Sequence, residues 1–304
     1  MKVLITGADG FIGSNVLQYL LNNTDWEFTV ICSFRHMGNP LNIPLSNRVE
    51  VVTLDLRGQI PALGHFDYIL HFASESHVDR SITDPVPFIE NNIAITLQIL
   101  EYARRNMPER FILFSTDEVY GAHMHADWDV LLPTNPYAAS KASQEMIAVA
   151  YYNTYKIPII ITNSNNIVGP NQHPEKFIPK IIGLIKAGKT VPIHVVNGKM
   201  GRRYYNPVQN TASAIKHILG LKYLNEEHDK PPRYSLAGGK SMDNLEMAKL
   251  VAEILGKQLR YRTMEVNTVR PAYDQYYDES TEDKLSDTGW TPPISLKQGL
   301  RWIQ

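Results

Sequence analysis

The sequence predicts an α/β protein: a Rossmann-like, doubly wound parallel sheet joined to a smaller α/β substrate-binding lobe. Three observations predict it. Continuous apolar runs of strand length recur through the first half, helix-like segments alternate with them, and a glycine-rich turn follows the first run. Strands that are buried on both faces of a parallel sheet have this continuous apolar composition. Their alternation with helices favours crossover connections that place helices on both faces.

The elements of the first half can be placed one by one. The predicted strands are residues 2–6, 28–31, 49–54, 68–72, 111–115 and 158–162. The predicted helices are residues 11–22, 86–106 and 136–155. For the last of these helices, Asn135 is suited to cap the start, Pro136 fits the first turn, and the helix must stop before Pro158.

The character of the chain changes after about residue 163. Proline and glycine become frequent, strands shorten, and loops separate the predicted helices near residues 175–187, 207–224, 241–255 and 295–303. We therefore predict one domain over residues 1–163 and mainly a second, smaller lobe over residues 164–304. Some later segments are expected to return to the first domain.

Composition excludes several classes of protein. The 304 residues include 30 basic and 31 acidic side chains, so the formal net charge of −1 argues against nucleic acid as a partner. The apolar runs are too short to span a bilayer, and the first strand begins at Lys2, so we expect neither a membrane anchor nor a signal peptide. Cys32 is the only cysteine, which favours a reducing compartment, the cytoplasm. No spacing of His, Cys and Asp predicts a metal site.

A glycine-rich turn at the amino terminus predicts a dinucleotide site. Gly7, Gly10 and Gly13 follow the first strand and open the first helix, with Phe11 and Ile12 between them. Glycine at these positions permits a tight turn and lets the backbone approach a pyrophosphate, which then lies on the helix amino terminus. A glycine triplet alone is weak evidence, but its position between a strand and a helix strengthens it.

The residues expected to hold the adenosine leave the choice between NAD and NADP open. An acidic residue is expected at the end of the second strand, where this chain has Cys32 and Ser33, followed by Arg35. Ser33 and Arg35 are suited to a 2′-phosphate, so NADP is an alternative to NAD. Asp55 and Leu56 follow the third strand, where Asp55 is placed to face the adenine amino group. Ala73 is expected on the nicotinamide side.

Tyr137 and Lys141 stand one helical turn apart on one face of a predicted helix. An ammonium group near a phenol lowers the pKa of the phenol, so that tyrosine becomes a usable base near neutral pH. Thr116, at the end of the fifth strand, is placed to hydrogen-bond a substrate hydroxyl that is being oxidised.

Two adjacent carboxylates, Asp117 and Glu118, follow that same strand. Unpaired acids at the end of a buried strand cost stability unless water reaches them or chemistry needs them. A helix-capping turn is the structural explanation, and acid–base catalysis is the functional one. Mutual repulsion can separate the pKa values of neighbouring carboxylates, which supplies an acid and a base side by side.

These motifs together resemble the extended short-chain dehydrogenase/reductases, and within them the nucleotide-sugar 4,6-dehydratases. The matching stretches run through essentially the whole chain: "TGADGFIGSN", "HFASESHVDRSITDP", "FSTDEVYG", "PYAASKAS", "NSNNIVGPNQHPEKFIPK", "VRPAYD" and "LSDTGWTP". "STDEVYG" and "ESHVDRS" are specific to the dehydratase branch.

The resemblance implies a redox-neutral dehydration, with dTDP-glucose as the expected substrate and a retained nicotinamide cofactor. Tyr137, with Lys141 and Thr116, would remove the O4 proton as C4 is oxidised. Glu118 would remove the C5 proton, and Asp117 would protonate the departing C6 hydroxyl. The product would be a 4-keto-6-deoxy sugar.

The resemblance further implies that residues 1–163 bind the dinucleotide, that residues 164–304 mainly bind the sugar nucleotide, and which residues contact the substrate. The implied substrate-binding residues are Ser76, Asn166, Glu175, Lys176, Arg202 and Arg270. The chain also departs from the family pattern at several positions. Arg203 and Gln209 replace two acids of the family, Val168 replaces a tyrosine and Tyr273 replaces a histidine. These changes leave the base and the exact sugar open.

Two other functions fit the same fold. A UDP-sugar 4-epimerase or a UDP-glucuronate decarboxylase needs Thr116, Tyr137 and Lys141 but not the acid pair, and a non-catalytic dinucleotide-binding protein needs none of them. The resemblance further implies a homodimer, formed by the predicted helices 86–106 and 136–155 of two copies.

Overall fold

The computed structural model describes residues 1–35, 38–121, 131–222, 229–236, 238, 241–265 and 285–304. The strands within these ranges are β1 Lys2–Thr6, β2 Glu27–Cys32, β3 Val49–Thr53, β4 Tyr68–His71, β5 Arg110–Thr116, β6 Ile159–Ser164, β7 Asn166–Val168, β8 Val191–Val196, β9 Lys199–Met200, β10 Arg202–Pro207, β11 Arg233–Leu236, β12 Ser241–Asp243 and β13 Tyr261–Glu265. The helices are α1 Phe11–Asn23, α2 Val78–Thr83, α3 Pro85–Asn106, α4 Pro136–Tyr155, α5 Phe177–Lys186, α6 Val208–Gly220, α7 Asn244–Ile254 and α8 Leu296–Gly299.

The described residues form a seven-stranded parallel sheet in the order β3-β2-β1-β4-β5-β6-β11. The predicted fold class is therefore confirmed. The strand order reverses at β1, so a crevice opens between the carboxyl ends of β1 and β4. Because the carboxyl ends of parallel strands meet at one edge, Thr116 of β5 lies on the same side as the glycine turn after β1.

Alternating side chains of each strand bury opposite faces of the sheet. Val3 and Ile5 of β1 belong to a core that also contains α1 and α6, whereas Leu4 belongs to a core with α3 and α4. Both faces are covered by apolar helix surfaces, which explains why the strands are apolar without alternation.

Two small sheets and their helices build the second lobe. One described sheet has the order β12-β10-β7 and the other β13-β8-β9. The apolar faces of α5 and α7 pack with β8 and Tyr205 of β10 in a separate core. A capping box formed by Asp243 and Glu246 starts α7.

Later segments also contribute to the first sheet. β11 pairs in parallel with β6, and α6 packs in the same core as α1. A buried ion pair joins Arg233 of β11 to Glu145 of α4, and the Asn163 side chain bonds to both. The division of the chain at residue 163 stays a prediction. The predicted terminal helix at 295–303 consists of the short α8 followed by a 3-10 turn at Arg301–Ile303.

Candidate active site

A cavity of about 620 Å³ lies at the carboxyl edge of the main sheet and extends to the second lobe. Its walls include the glycine turn after β1, the ends of β2 to β6, the start of α4 and the segment that leads into α5. These walls bring together most of the predicted site residues. The members of this set are Gly7, Gly10, Phe11, Ile12, Gly13, Ser33, Arg35, Asp55, Leu56, Ala73, Ser76, Thr116, Glu118, Tyr137, Lys141, Asn166, Glu175 and Lys176.

The glycine turn forms a cradle that side chains would fill. Gly7 has a φ of 74°, and a Cβ there would lie 2.7 Å from the Ala73 backbone nitrogen. A Cβ on Gly13 would lie 2.3 Å from the Gly7 carbonyl oxygen. The helix α1 begins at Phe11, so its first backbone N–H groups face the cavity beside the turn. The cradle fits a dinucleotide pyrophosphate, which needs close backbone approach and a helix amino terminus.

Two residues that are predicted to lie near the adenosine, Arg35 and Asp55, form ion pairs together with Arg57. Arg35 Nη1 lies 2.7 Å from Asp55 Oδ2, and Arg57 Nη2 lies 2.6 Å from the same oxygen. The hydrogen bond from Arg57 lowers the pKa of Asp55 to about 2. Arg35, which was expected to favour a 2′-phosphate, therefore already has an anionic partner.

Asn135 caps α4 and fixes the start of the helix that carries Tyr137 and Lys141. Its Oδ1 accepts a hydrogen bond of 2.9 Å from the Ala138 N–H, and the Tyr137 N–H donates to Ser81 Oγ across 3.1 Å. The Lys141 ammonium donates a 2.7 Å hydrogen bond to the Phe114 carbonyl. Burial lowers the pKa of Lys141 to about 8.

The Tyr137 phenol differs from the expectation for its protonation. Burial raises its pKa above the ordinary value of tyrosine, and the carboxylates of Glu118 and Asp117 raise it further. A hydrogen bond with the Thr116 side chain acts in the opposite direction but is smaller. The pKa of Tyr137 is thus raised and not lowered as the Lys141 spacing predicted, because burial dominates and the charges of Glu118 and Asp117 that act on the phenol are negative.

The acid pair lies in a 3-10 turn, Asp117–Tyr120, that continues directly from β5. Thr116 Oγ1 accepts from the Glu118 N–H over 3.3 Å and donates to Asp117 Oδ1 over 3.1 Å. Burial and the Glu118 charge together raise the pKa of Asp117 to about 7. Asp117 is therefore substantially protonated near neutral pH, as a general acid must be.

The two carboxylates have different surroundings. Glu118 lines the cavity and accepts a 3.2 Å hydrogen bond from Asn135 Nδ2. Asp117 is not among the residues that line the cavity, but its carboxyl group is hydrogen-bonded to two that do, Thr116 and Asn165. Neighbouring carboxyl groups in unlike environments are the arrangement that assigns acid and base roles.

Three predicted substrate residues, Ser76, Glu175 and Lys176, lie together at one end of the cavity, where two loops meet. The Lys176 ammonium donates a 3.0 Å hydrogen bond to the Ser76 carbonyl oxygen. Glu175 pairs with His77 at 3.0 Å, and Asn166 stands exposed at the start of β7. The segment before α5 thus closes against the loop that follows β4.

The predicted arginines are placed differently. Among the described residues of the cavity wall, Arg203 is present and Arg202 is not. Arg202 pairs with Glu246 at 3.1 Å and donates to the Ser241 carbonyl at 2.9 Å, so its diphosphate contact stays a prediction. Arg270, and with it Tyr273, lies outside the described residues.

The cavity-lining residues that the sequence analysis did not assign to the site include Asn135, Asn165 and Arg203. Asn165 donates a 3.1 Å hydrogen bond to Asp117, and the charge of Arg203 acts on the same carboxyl. The cap motif before α4 pointed to Asn135, and the loss of a family acid pointed to position 203. No local pattern pointed to Asn165.

Two other kinds of feature are absent from the described ranges. No helix there is long and apolar enough to cross a membrane. No three His, Cys, Asp or Glu side chains of that part of the chain are grouped to hold a metal ion.

The fold and the glycine turn define a class of protein: the extended short-chain dehydrogenase/reductases, with an NAD-type cofactor. The model of the NAD dependent epimerase/dehydratase family matches residues 3–229, which is most of the chain. The chain belongs to that family.

Relatives lie on both the dehydratase and the epimerase side of the family. The "Low-salt glycan biosynthesis protein Agl12" of Haloferax volcanii is 34% identical, covering 99% of this chain and 96% of the relative. The crystal structure of DesIV, a dTDP-glucose 4,6-dehydratase from Streptomyces venezuelae with NAD and TYD bound, superposes with a TM-score of 0.86 at 31% identity, covering 100% and 95%. A UDP-glucose 4-epimerase of Thermus thermophilus in complex with NAD gives a TM-score of 0.83 at 25% identity, covering 99% and 97%.

Proposed function

We propose that this protein is an NDP-hexose 4,6-dehydratase, a lyase that converts dTDP-glucose to dTDP-4-keto-6-deoxyglucose with a retained NAD. One observation carries the proposal: a protonatable Asp117, with its pKa raised to about 7, is the chain neighbour of Glu118, which lines the cavity together with Tyr137. The relatives named as dTDP-glucose 4,6-dehydratases support the substrate, and the cradle of glycines supports the dinucleotide.

The first chemical task of the protein is to remove the proton of the sugar O4. Tyr137 is the base, and the Thr116 hydroxyl, to which the phenol is hydrogen-bonded, orients the same oxygen. The chemistry that a bound nicotinamide supplies is the reversible two-electron oxidation of the sugar, and its cationic oxidised form favours the Tyr137 phenolate. The Lys141 ammonium adds positive charge to this wall while it is protonated.

The acid pair performs the elimination. A ketone at C4 makes the C5 proton acidic, and Glu118 removes it. The released electron pair forms the C5–C6 double bond, the C6–O bond breaks, and Asp117 donates its proton so that the hydroxyl leaves as water. Glu118 returns its proton to C5 when C6 is reduced, and a proton passed from Tyr137 restores Asp117.

The nucleotide part of the substrate is proposed to occupy the end of the cavity between the lobes. Ser76, Glu175 and Lys176 are proposed to contact it there, with Asn166 from the same cavity wall, because a lysine suits a diphosphate as a compact positive charge.

A sugar-nucleotide 4-epimerase is the second candidate, because the Thermus thermophilus epimerase shares the fold. Epimerisation returns the electrons to C4 and needs neither acid nor base at C5 and C6. An unused buried Asp117 would then only cost stability. The pair therefore favours dehydration.

We also propose a homodimer in a reducing, aqueous compartment. α3 and α4 expose apolar side chains side by side: Val86 is 56%, Leu97 is 39% and Met146 is 44% exposed. A second copy of the chain would bury this face. Leu97→Glu should shift the sedimentation of the protein to that of a monomer, whereas Leu41→Glu, at a 90% exposed position away from this face, should not.

The test of the lyase activity uses isosteric substitutions of the pair. The wild-type protein with dTDP-glucose should yield a 4-keto product that absorbs in alkali, without added reductant. Glu118→Gln should abolish the product yet still permit transient reduction of the bound cofactor, seen as nicotinamide absorbance. Glu50→Gln, at an exposed position on β3, is the matched control and should retain activity. Normal turnover by Glu118→Gln would contradict the proposal, and a substrate panel of UDP-, GDP- and CDP-hexoses tests the base.

A further inference from the structure

Asp9, in the middle of the glycine turn, brings a carboxylate to the end of β2. Its Oδ2 accepts a 3.2 Å hydrogen bond from the Phe34 N–H. Its backbone oxygen accepts from the Asn39 N–H at 3.0 Å and from Asn42 Nδ2 at 2.9 Å. The side chain is only 6% exposed, yet it lines the cavity. Asp9 is therefore directed away from the turn and towards the adenosine end of the cavity.

The backbone around Asp9 is shaped to receive this carboxylate. Phe34 has a φ of 51°, an uncommon conformation for a residue other than glycine. A Cβ on Gly38 would lie 2.2 Å from Asp9 Oδ2, so the absence of a side chain at position 38 leaves room for the carboxylate. The strained backbone of Phe34 and the close approach of Gly38 both surround the Asp9 carboxylate. Backbone strain of this kind is concentrated at functional sites.

The position that the carboxylate reaches is the one where the sequence lacks an acid. Cys32 stands at the end of β2, where a ribose-binding acid is expected, and its thiol is hydrogen-bonded to the Asp9 carboxylate. The Asp9 side chain, from the turn after β1, therefore lies next to the Cys32 side chain at the end of β2. The bonds from Phe34 and Cys32 use two of the roughly four acceptor positions of a carboxylate, which leaves acceptors for two ribose hydroxyls.

We propose that Asp9 binds the hydroxyls of the adenosine ribose and makes the site selective for NAD over NADP. A 2′-phosphate would be placed against a buried carboxylate, and such a like-charge contact is strongly unfavourable. Arg35, the side chain that was expected to offset that charge, is paired with Asp55 at 2.7 Å. The proposal rests on the dinucleotide site of the proposed function but not on the identity of the sugar.

The test measures equilibrium binding of NAD and NADP to protein freed of bound dinucleotide, by titration calorimetry. The wild-type protein should bind NAD at least about a hundredfold more tightly than NADP. Asp9→Asn should weaken NAD binding about tenfold and reduce the preference by at least the same factor, because a charged acceptor is lost. Asp25→Asn, an exposed acid in the turn before β2, is the control and should change neither constant.

A double variant that moves the carboxylate from position 9 to position 32 distinguishes recognition of the ribose by Asp9 from a purely structural role of Asp9. In the double variant Asp9→Ala with Cys32→Asp, the carboxylate returns to the end of β2, and the preference for NAD should recover relative to Asp9→Ala alone. A wild-type protein that prefers NADP, or an Asp9→Asn variant with an unchanged ratio of the two constants, would overturn the proposal. Tight, selective NAD binding without lyase activity would contradict the proposed function and leave this inference intact.

Discussion

The side-chain amide of Asn165 donates a 3.1 Å hydrogen bond to Oδ2 of Asp117, and its carbonyl oxygen accepts from the Gly238 N–H at 3.2 Å. The amide orientation is thereby fixed by a backbone segment that follows β11. A hydrogen bond to the ionised carboxylate lowers the pKa of Asp117, against the larger effect of burial. Asn165 thus adjusts the acid strength of the group that we assign to protonate the leaving hydroxyl.

The pH dependence of turnover should show this adjustment. Asp117 acts as an acid only while protonated, so kcat should fall as the pH rises above about 7. Asn165→Ala removes a hydrogen bond that stabilises ionised Asp117. The alkaline limb of the kcat profile should therefore shift to higher pH by about half a unit. An alkaline limb that stays at the same pH, or shifts to lower pH, would contradict the assignment of Asp117 as the acid.

Asp117→Asn should lower kcat and raise the free energy of unfolding. The pKa of Asp117 in the folded protein lies above its ordinary value, so its contribution to stability is complete in acid and is lost as the pH rises through about 7. The variant should be more stable than wild type by on the order of 4 kcal/mol at about pH 8, because the pKa of Asp117 is raised from its ordinary value of 3.8 to about 7, and the difference should vanish only near the unfolded-state pKa, at about pH 4. Urea unfolding at the two pH values measures this, and kcat should fall by at least about a hundredfold.

Arg202 and Arg203 are neighbours in the chain with different surroundings, so substitution of each can be compared directly with the other. Arg203 lines the cavity, whereas Arg202 is ion-paired with Glu246 of α7. Arg203→Met should raise KM for the sugar nucleotide about tenfold, because a cationic contact to an anionic substrate is lost. Arg202→Met should change KM less. The opposite order would assign the diphosphate contact to Arg202, as the family resemblance implied.

The buried pair Arg233–Glu145 should be sensitive to the loss of one partner. Glu145 is fully buried and Arg233 is 8% exposed, so removal of either charge leaves the other uncompensated. Arg233→Met should lower the free energy of unfolding by about 3–5 kcal/mol. The double variant Arg233→Met with Glu145→Leu should lose less than the sum of the single variants, measured in a urea double-mutant cycle. Additive losses would show that the two side chains do not depend on each other.

Much of the first domain could be predicted because its patterns are local. The apolar runs at 2–6 and 111–115 became β1 and β5, and the capped helix at 136–155 became α4 with the same bounds. The glycine turn and the Tyr137–Lys141 spacing likewise lie within one strand–helix unit. The short strands of the second lobe were not placed individually, because brief segments rich in proline and glycine carry little periodicity.

The sequence by itself determined the doubly wound sheet, the glycine cradle and the presence of an acid pair at the end of β5, since periodicity and turn chemistry act over a few residues. Only the tertiary structure decided that Asp9 reaches Cys32, that Asn165 bonds to Asp117, that Arg203 rather than Arg202 lines the cavity, and that the pKa of Tyr137 is raised. Those outcomes depend on burial and on charges carried by distant segments. Desolvation and Coulomb interactions are set by packing across the whole chain, which no local pattern encodes.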